Sequence, residues 1–465
     1  MAAKQGLFIG PRLRRIRRDL GLTQADMAAD VGISAPYVAL MERNQRPVTA
    51  DMLLRLARTY RLDVSELAGE DEDNQLARIQ EMLKDPILSD IDVAPIEVAE
   101  LVNTNPGLGD VLLRLHNAYR EGQLMLADQR VENRNGEDDR DPVADVRRFV
   151  SARKNSFPTI DNTAERLAST VAENGGLAAH LASRHQLRVR RLPPDVMGGS
   201  IRRLDRHRHE LLIDEGLSPA SYTFQLAQQL AHLELSREIS VALEEGTFGS
   251  EGSERLARRT LASYAAAAIV MPYAAFARAA ESRRYDIELL SSQFGASFEQ
   301  VAHRLTTLQK AGQERVPFFF IRIDTAGNVS KRLDGADFPF ARHGGGCPLW
   351  NVHTTFQRPG EIQTQWLELP DGQRFFSVAR TVSSGVGGFG QPKVQRAVAL
   401  GCAAEHASRL VYARGSDGAS PTPIGVTCRL CQRDDCAARS EPPIGRQILL
   451  DDYRRTRAPY GFSDK

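Results

Sequence analysis

The sequence predicts a multidomain α+β protein, and three features carry that prediction. Apolar residues at helical spacing, broken by short turns, fill residues 1–70, and strand-like alternation with Ala-Gly-Asn and Asp-Gly turns begins near residue 316. The length of 465 residues exceeds what one ordinary core organises. Composition and punctuation divide the chain into 1–70, a helical connecting region at 71–127, a polar linker at 128–145, a helix-rich unit at 146–315 and a mixed sheet domain at 316–465. Hydrophobic residues at 42% and charged residues at 26% are globular values, and a net charge of +1 gives no global attraction to nucleic acid, so any basic surface is local. "MAAKQGLFIG" leads into no apolar signal core, and nowhere do about 18 uncharged apolar residues run together. The expectation is a soluble cytoplasmic protein with no membrane partner.

In "RLRRIRRDLGLTQADMAADVGISAPYVALMERNQRPVTADMLLRLARTYRLDV", Leu13, Ile16 and Leu20 recur at helical spacing. Thr23 caps the helix carrying Met27, Ala28 and Val31, Gly32 permits the turn, and Ser34 caps a second helix, 34–44, with Pro36 in its first turn. Residues 8–66 closely resemble the helix-turn-helix of phage-repressor and xenobiotic-response-element regulators. The resemblance implies a double-stranded DNA operator and a homodimer on two half-sites, since one module makes too few base contacts. Ser34, Ala35 and Tyr37 lead the helix that would enter the major groove. Gln24 is expected to donate to a phosphate with help from its helix N-terminus, and Arg12, Arg14, Arg15, Arg43 and Arg46 to supply positioning charge. In the connecting region, "GLGDVLLRLHNAYREGQLML" places Val111, Leu112, Leu115 and Tyr119 on one helix face, which reads as covering its own domain, with a dimer contact as the alternative.

The central segment "SYTFQLAQQLAHLELSREI" resembles the active helix of the zinc peptidases found in bacterial regulators, which carries HExxH. Here those positions read Gln228, Gln229, Leu230, Ala231, His232, and the position of the third, acidic ligand falls near Arg259. A helix with one of two histidines and no glutamate base neither binds zinc nor activates water. The resemblance therefore implies a degenerate zincin-like α/β domain without the reaction, and His232 reads as a hydrogen-bonded core or pocket histidine. Before it, "RHQLRVRRLPPDVMGGSIRRLDRHRHELLIDEG" predicts strand, turn and strand dense in arginine, with Leu187, Val189 and Leu192 facing the core and Arg188 and Arg190 sharing the other face. Arg188, Arg190, Arg191, Arg202 and Arg203 are either a solvated surface or, with His232, a site for a phosphate-bearing ligand.

In the C-terminal unit, "PFFFIRIDTAGNVSKRL", "IQTQWLELPDG" and "RFFSVARTVSSG" read as strands, and "QPKVQRAVALGCAAEHASRLVYARG", which contains Cys402, as helix-like. None of the five cysteines precedes Cys347, and three fall in the C-x2-C-x4-C of "GVTCRLCQRDDCAAR", which points to one local site and not a disulfide framework. Zinc ribbons usually bring a second C-x2-C, absent here, whereas a [4Fe-4S] cluster takes three thiolates from one loop and one from afar. Cys402, Cys428, Cys431 and Cys436 supply such a set, Cys347 in "RHGGGCPLWNVH" is the other candidate for the fourth place, and Arg429, Arg433 and Arg439 would offset the charge. Taken in order, the helix-turn-helix, the degenerate peptidase segment, "HGGGCPLWNVH", "ALGCAAEHASRLVYA" and "PIGVTCRLCQRDDCAAR" resemble the short-chain fatty acyl-CoA regulators. That resemblance implies a transcription factor for short acyl-CoA metabolism, not an enzyme, with acyl-CoA bound centrally and an iron-sulfur cluster at the C-terminal cysteines. A redox or iron sensor and a regulator-cleaving peptidase are the competing readings.

Overall fold

The computed structural model describes residues 10, 13–14, 17, 22–43, 45–60, 70–88, 91, 93–104, 106–132, 142–340, 346–385, 393–415, 419–449, 453 and 455–462. Arg12 and Arg15 lie outside the described residues. The first helices are α1 (Gln24–Val31), α2 (Ala35–Glu42) and α3 (Ala50–Tyr60). Their apolar faces, with Leu13, close a core of Met27, Val31, Val38, Met41, Val48 and Leu56. Thr23 and Asp26 form a reciprocal capping box at α1, and Gly32 ends that helix at φ 71, where a side chain would be strained. Ser34 stands at the start of α2 but its hydroxyl makes no capping bond there.

Helices α4 (Glu70–Met82), α5 (Pro95–Thr104) and α6 (Pro106–Glu132) share a small core of Ile79, Val98, Val102 and Leu113. Leu113, not the expected face, turns inward, leaving Val111, Leu115 and Tyr119 exposed. The linker expected at 128–145 is also shorter than its composition suggested, because α6 runs on to Glu132 and α7 (Pro142–Ser151) begins at a proline in its first turn. Residues 133–141 of the expected linker lie outside the described residues.

The central unit packs α7, α8 (Pro158–Glu173), α9 (Leu177–His185), α11 (Pro219–Glu234), α12 (Ser236–Glu244) and α13 (Glu251–Val270) against one face of a three-stranded sheet. That sheet has the order β1 (Arg188–Leu192), β3 (Glu210–Asp214), β2 (Arg202–Asp205), with β1 parallel and β2 antiparallel to β3; the short α10 (Pro194–Met197) lies in the connection from β1 to β2. From Met271 onward the apolar residues change partners. Those of α14 (Tyr273–Ser282), α15 (Ile287–Phe294) and α16 (Phe298–Leu305) pack with the C-terminal sheet.

That sheet, six strands among the described residues, has the order β5-β4-β8-β7-β6-β9. Its strands are β4 (Phe319–Ile323), β5 (Val329–Leu333), β6 (Gln363–Glu368), β7 (Arg374–Ser384), β8 (Val394–Ala403) and β9 (Thr422–Pro423). Asp324 to Asn328 and Asp371-Gly372 make the expected turns. The expected helix through Cys402 is instead β8. Val398, Leu400 and Cys402 enter the helix-packed core while Ala397 and Ala399 enter the opposite one, so both faces are buried. A strand buried on both faces reads as a continuous apolar run, and periodicity cannot separate it from a helix.

Among the described residues no single helix is long and apolar enough to cross a membrane; the apolar bent pair α13 and α14 is core. A fully buried ion pair ties α8 to α16. Arg304 Nη2 lies 2.7 Å from Asp161 Oδ1, Tyr264 donates to Asp161 Oδ2 at 2.5 Å, and Arg304 also reaches the Met271 carbonyl and Thr307. Removing one partner leaves an uncompensated buried charge. Arg304→Met is therefore expected to lower stability by roughly 3–5 kcal/mol, and Asp161→Leu with Arg304→Met to recover much of it, as read by urea midpoints.

Candidate functional site

At the N-terminal unit, α2 presents exposed Ser34, and Arg43 and Arg46 are also exposed; the Arg46 guanidinium lies 5.3 Å from the Tyr37 ring centroid. Ala35 begins the helix, half-buried beside the small core. Gln24 departs from expectation. Its amide donates to buried Glu42 at 2.6 Å, where Arg17 Nε also donates at 2.6 Å and Arg14 lies 3.6 Å away. Asp26 in the capping box answers the positive end of α1, and the Gln24 amide is engaged by Glu42 instead of being free in solvent. Glu42 was missed because an acid beside "RN" in sequence looks like surface, whereas four helical residues after Val38 it shares that residue's inward face.

The central arginines do not form one patch. Register pairs Arg191 with Ile213 and Ile213 with Arg202, and pairs Arg190 with Leu212 and Leu212 with Arg203. Arg191 and Arg202 therefore share the sheet face that covers the helices, while Arg188, Arg190 and Arg203 share the opposite face. There Arg190 meets Glu210 at 3.1 Å. On the inner face Arg202 donates to the Gln225 carbonyl at 3.2 Å and Arg191 to the Glu215 carbonyl, its guanidinium 5.4 Å from the Tyr222 ring centroid. Tyr222, Gln225 and His232 follow one another along α11. His232 is exposed, which removes the core half of its expected core or pocket placement; partial burial of its ring, and then the charge of Arg202, lower its pKa. Of the former ligand positions, Gln228 donates to Ser263 at 3.2 Å and Arg259 points to solvent.

The cysteines converge with one exchange. Cys347, Cys428, Cys431 and Cys436 line one small cavity with Gly425, Arg433 and Arg439. Cys402 does not belong to it. It is fully buried in the apolar core, where burial pushes its thiol up to about 12. Cys347 is also raised by burial, and further by Cys431 and Cys428 beside it. Burial opposes ionisation of Cys428, but hydrogen bonds from Ser440, whose hydroxyl lies 3.3 Å from Sγ, and the charge of Arg439 hold it below the ordinary thiol value. Arg439 donates to the Cys428 and Cys431 carbonyls at 3.2 and 3.1 Å and to the Arg433 carbonyl. Arg429 turns away to Glu441 at 2.9 Å. The donor set fits a thiolate-bound iron-sulfur group: four sulfurs, buried Nε atoms of Arg433 and Arg439 with no protein acceptor, and a glycine where a Cβ would lie 2.9 Å from Cys431 Sγ. This cysteine loop touches the connecting helices, because Arg120 of α6 donates to the Leu430 carbonyl; Arg78 of α4 lies 3.8 Å from Asp371 in the same domain.

A helix-turn-helix unit at the head of the chain places it among DNA-binding transcriptional regulators. Residues 13–67 match the helix-turn-helix model, 182–306 the IrrE N-terminal-like domain, and 307–460 the C-terminal model of the short-chain fatty acyl coenzyme A regulators. The chain is 38% identical to the HTH-type transcriptional regulator RamB of Mycobacterium tuberculosis, covering 97% of this chain and 98% of that one. It is 37% identical to the propionyl-CoA carboxylase regulator of Cereibacter sphaeroides, over 99% and 100% of the two chains. A solved Mycobacterium tuberculosis transcriptional regulator superposes with a TM-score of 0.65 at 37% identity, covering 69% of this chain and 99% of that one. The chain belongs to the short-chain fatty acyl coenzyme A regulators.

Proposed function

We propose that this protein is a cytoplasmic homodimeric regulator whose operator affinity is set by a short-chain acyl-CoA bound in the central unit, propionyl-CoA being the first ligand to try given the relative named for its carboxylase. The observation that carries this reading is the inner-face placement of Arg191 and Arg202 against Tyr222 and Gln225 of α11, the helix in which Gln228–His232 stand where a zinc motif would. Guanidinium forks suit the phosphates of the coenzyme, whose acyl-pantetheine arm would lie in a groove along α11. A ligand that prefers one arrangement of the two DNA-binding heads shifts operator affinity only by that preference. Exposed Val111, Leu115 and Tyr119 on α6 offer an apolar stripe for the second copy.

Cys347, Cys428, Cys431 and Cys436 would hold a [4Fe-4S] cluster, which supplies a one-electron redox couple and a thiolate cross-link of loop to sheet domain. Arg439 fixes the loop carbonyls around it. Loss of one charged hydrogen-bonding partner costs about 1.5–3 kcal/mol, or roughly 10–100-fold in affinity. Arg202→Ala should therefore weaken acyl-CoA binding by that factor in calorimetry, while Arg203→Ala on the opposite face leaves it unchanged. Equal losses in both would remove the groove from consideration.

The Arg120 contact with Leu430 favours one second reading, redox or iron sensing, because it joins the cysteine loop to the helices that follow the DNA-binding unit. Oxygen-dependent loss of operator binding, indifferent to acyl-CoA, would select it.

A further inference from the structure

Helix α9 and the C-terminal end of α11 bring together three side chains that none of the preceding functions uses. His180 Nε2 lies 2.8 Å and His185 Nε2 2.6 Å from the same oxygen, Glu234 Oε1. The three donor atoms all fall within 4.8 Å of one another. The His180 side chain is 2% exposed, whereas those of His185 and Glu234 are 22% and 24% exposed, so the cluster is walled on one side and open to water on the other. The histidines are five positions apart, more than one helical turn. Both rings turn to the same Glu234 oxygen, which leaves their centroids 6.2 Å apart at the C-terminal end of α9.

We propose that His180, His185 and Glu234 form a binding site for a divalent transition metal of the zinc type, with water as the fourth ligand. Two imidazole nitrogens and one carboxylate oxygen favour such ions over magnesium or calcium, which take oxygen donors. A tetrahedral ion with bonds of about 2.0–2.1 Å separates its ligands by roughly 3.3 Å, so the present contacts need to open only slightly, by side-chain rotation. The outer partner is in place. The Asn174 side-chain amide lies 2.9 Å from His180 Nδ1; turned over, it offers its carbonyl to an Nδ1 proton and leaves Nε2 free for the metal. Without metal, the same groups share protons along the Nε2 to Oε1 contacts, which accounts for their shorter separation.

This site is not the lost peptidase centre. Gln228, His232 and Arg259 take no part in it, and Glu234 lies two residues past His232 on another face of α11. The ion would fasten the end of α9, where the chain enters β1, to the end of α11. Those two elements carry Arg191 and His232, so the metal would brace the framework of the proposed coenzyme groove, although the site itself does not depend on that reading.

The test uses the full chain purified anaerobically, titrated with Co2+ and followed by visible absorption, with Glu234→Gln, His185→Gln and Gln228→Ala beside it. Cobalt held by nitrogen and oxygen shows ligand-field bands without the sulfur-to-metal charge-transfer absorption that the cysteines would give. The expected result is uptake of about one equivalent with tetrahedral nitrogen and oxygen bands, weakened at least tenfold in Glu234→Gln and His185→Gln and unchanged in Gln228→Ala. No such uptake, or uptake that survives both ligand variants, overturns the site and leaves a hydrogen-bonded cluster only. Metal-free circular dichroism matched to the parent separates a lost site from a lost fold, and the partly exposed His185→Gln carries the test should Glu234→Gln not fold. The readout is independent of acyl-CoA, so failure of the coenzyme reading and failure of this one are distinguishable.

Discussion

Cys347→Ser should strip the anaerobically purified protein of iron and acid-labile sulfide, from about four of each per chain towards none, whereas Cys402→Ser should leave both in place. Only Cys347 joins Cys428, Cys431 and Cys436 around one cavity. Cys402 is fully buried on the helix-packed face of β8, in register with Phe376 and within an apolar cluster; its serine variant is expected to lose stability through an unpaired hydroxyl and not to lose metal. Gly425→Ala is the sharper companion, because it deletes no ligand. Its Cβ would stand 2.8 Å from Cys431 Cβ, so the loop must shift and iron content should fall with every thiol intact. Zinc in place of iron, lost in Cys347→Ser, would keep the ligand set and change the ion. Iron retained in Cys347→Ser and lost in Cys402→Ser would reverse the assignment.

The cysteine exchange shows where the sequence was legible and where it stopped. A motif written in one loop, C-x2-C-x4-C, marks its residues by spacing alone. The fourth residue lies 81 positions before Cys428, and nothing local distinguishes Cys347 from Cys402. In "VQRAVALGCA" Val398, Leu400 and Cys402 enter one core while Ala397 and Ala399 enter the other, so the run is apolar on both faces and its periodicity reveals neither the strand nor the burial of Cys402. The same limit governed the arginines. Alternation assigns Arg188 and Arg190 to one face, but that Arg191 and Arg202 meet on the other follows from the β1-β3-β2 order, in which a strand late in the chain lies between two earlier ones. The helix-turn-helix was the most legible unit because caps, turn glycine and apolar spacing are all local signals. The partner of Gln24, Glu42, is 18 positions away, and that contact is not a local signal.

Arg43→Ala with Arg46→Ala should weaken binding to any duplex and flatten its salt dependence, while Glu42→Ala should act through the fold. Arg43 and Arg46 are exposed after α2, and a phosphate contact releases condensed counterions whatever the base sequence. Each contact removed should reduce the logarithmic salt slope by about 0.9, nearly 2 for the pair, with operator and random duplex affected alike. An unchanged slope would take both residues off the phosphate backbone. Glu42 differs because its buried carboxylate holds Arg17 and Gln24 together beneath the docking surface. Glu42→Ala leaves Arg17 without its acid and should cost the unit roughly 3 kcal/mol, observed as a lower thermal midpoint together with lost DNA binding. Burial alone would raise the Glu42 pKa, but hydrogen bonds from Arg17 and Gln24 and the charges of Arg17 and Arg14 hold it below its ordinary 4.5. The linked stability is therefore fully present above about pH 4.5 and is lost as pH falls through the lowered folded value, and Glu42→Gln should flatten that acid limb. Gln24→Ala completes the comparison. If Gln24 serves Glu42 and not a phosphate, its variant should lower the midpoint and leave the salt slope of the folded protein intact.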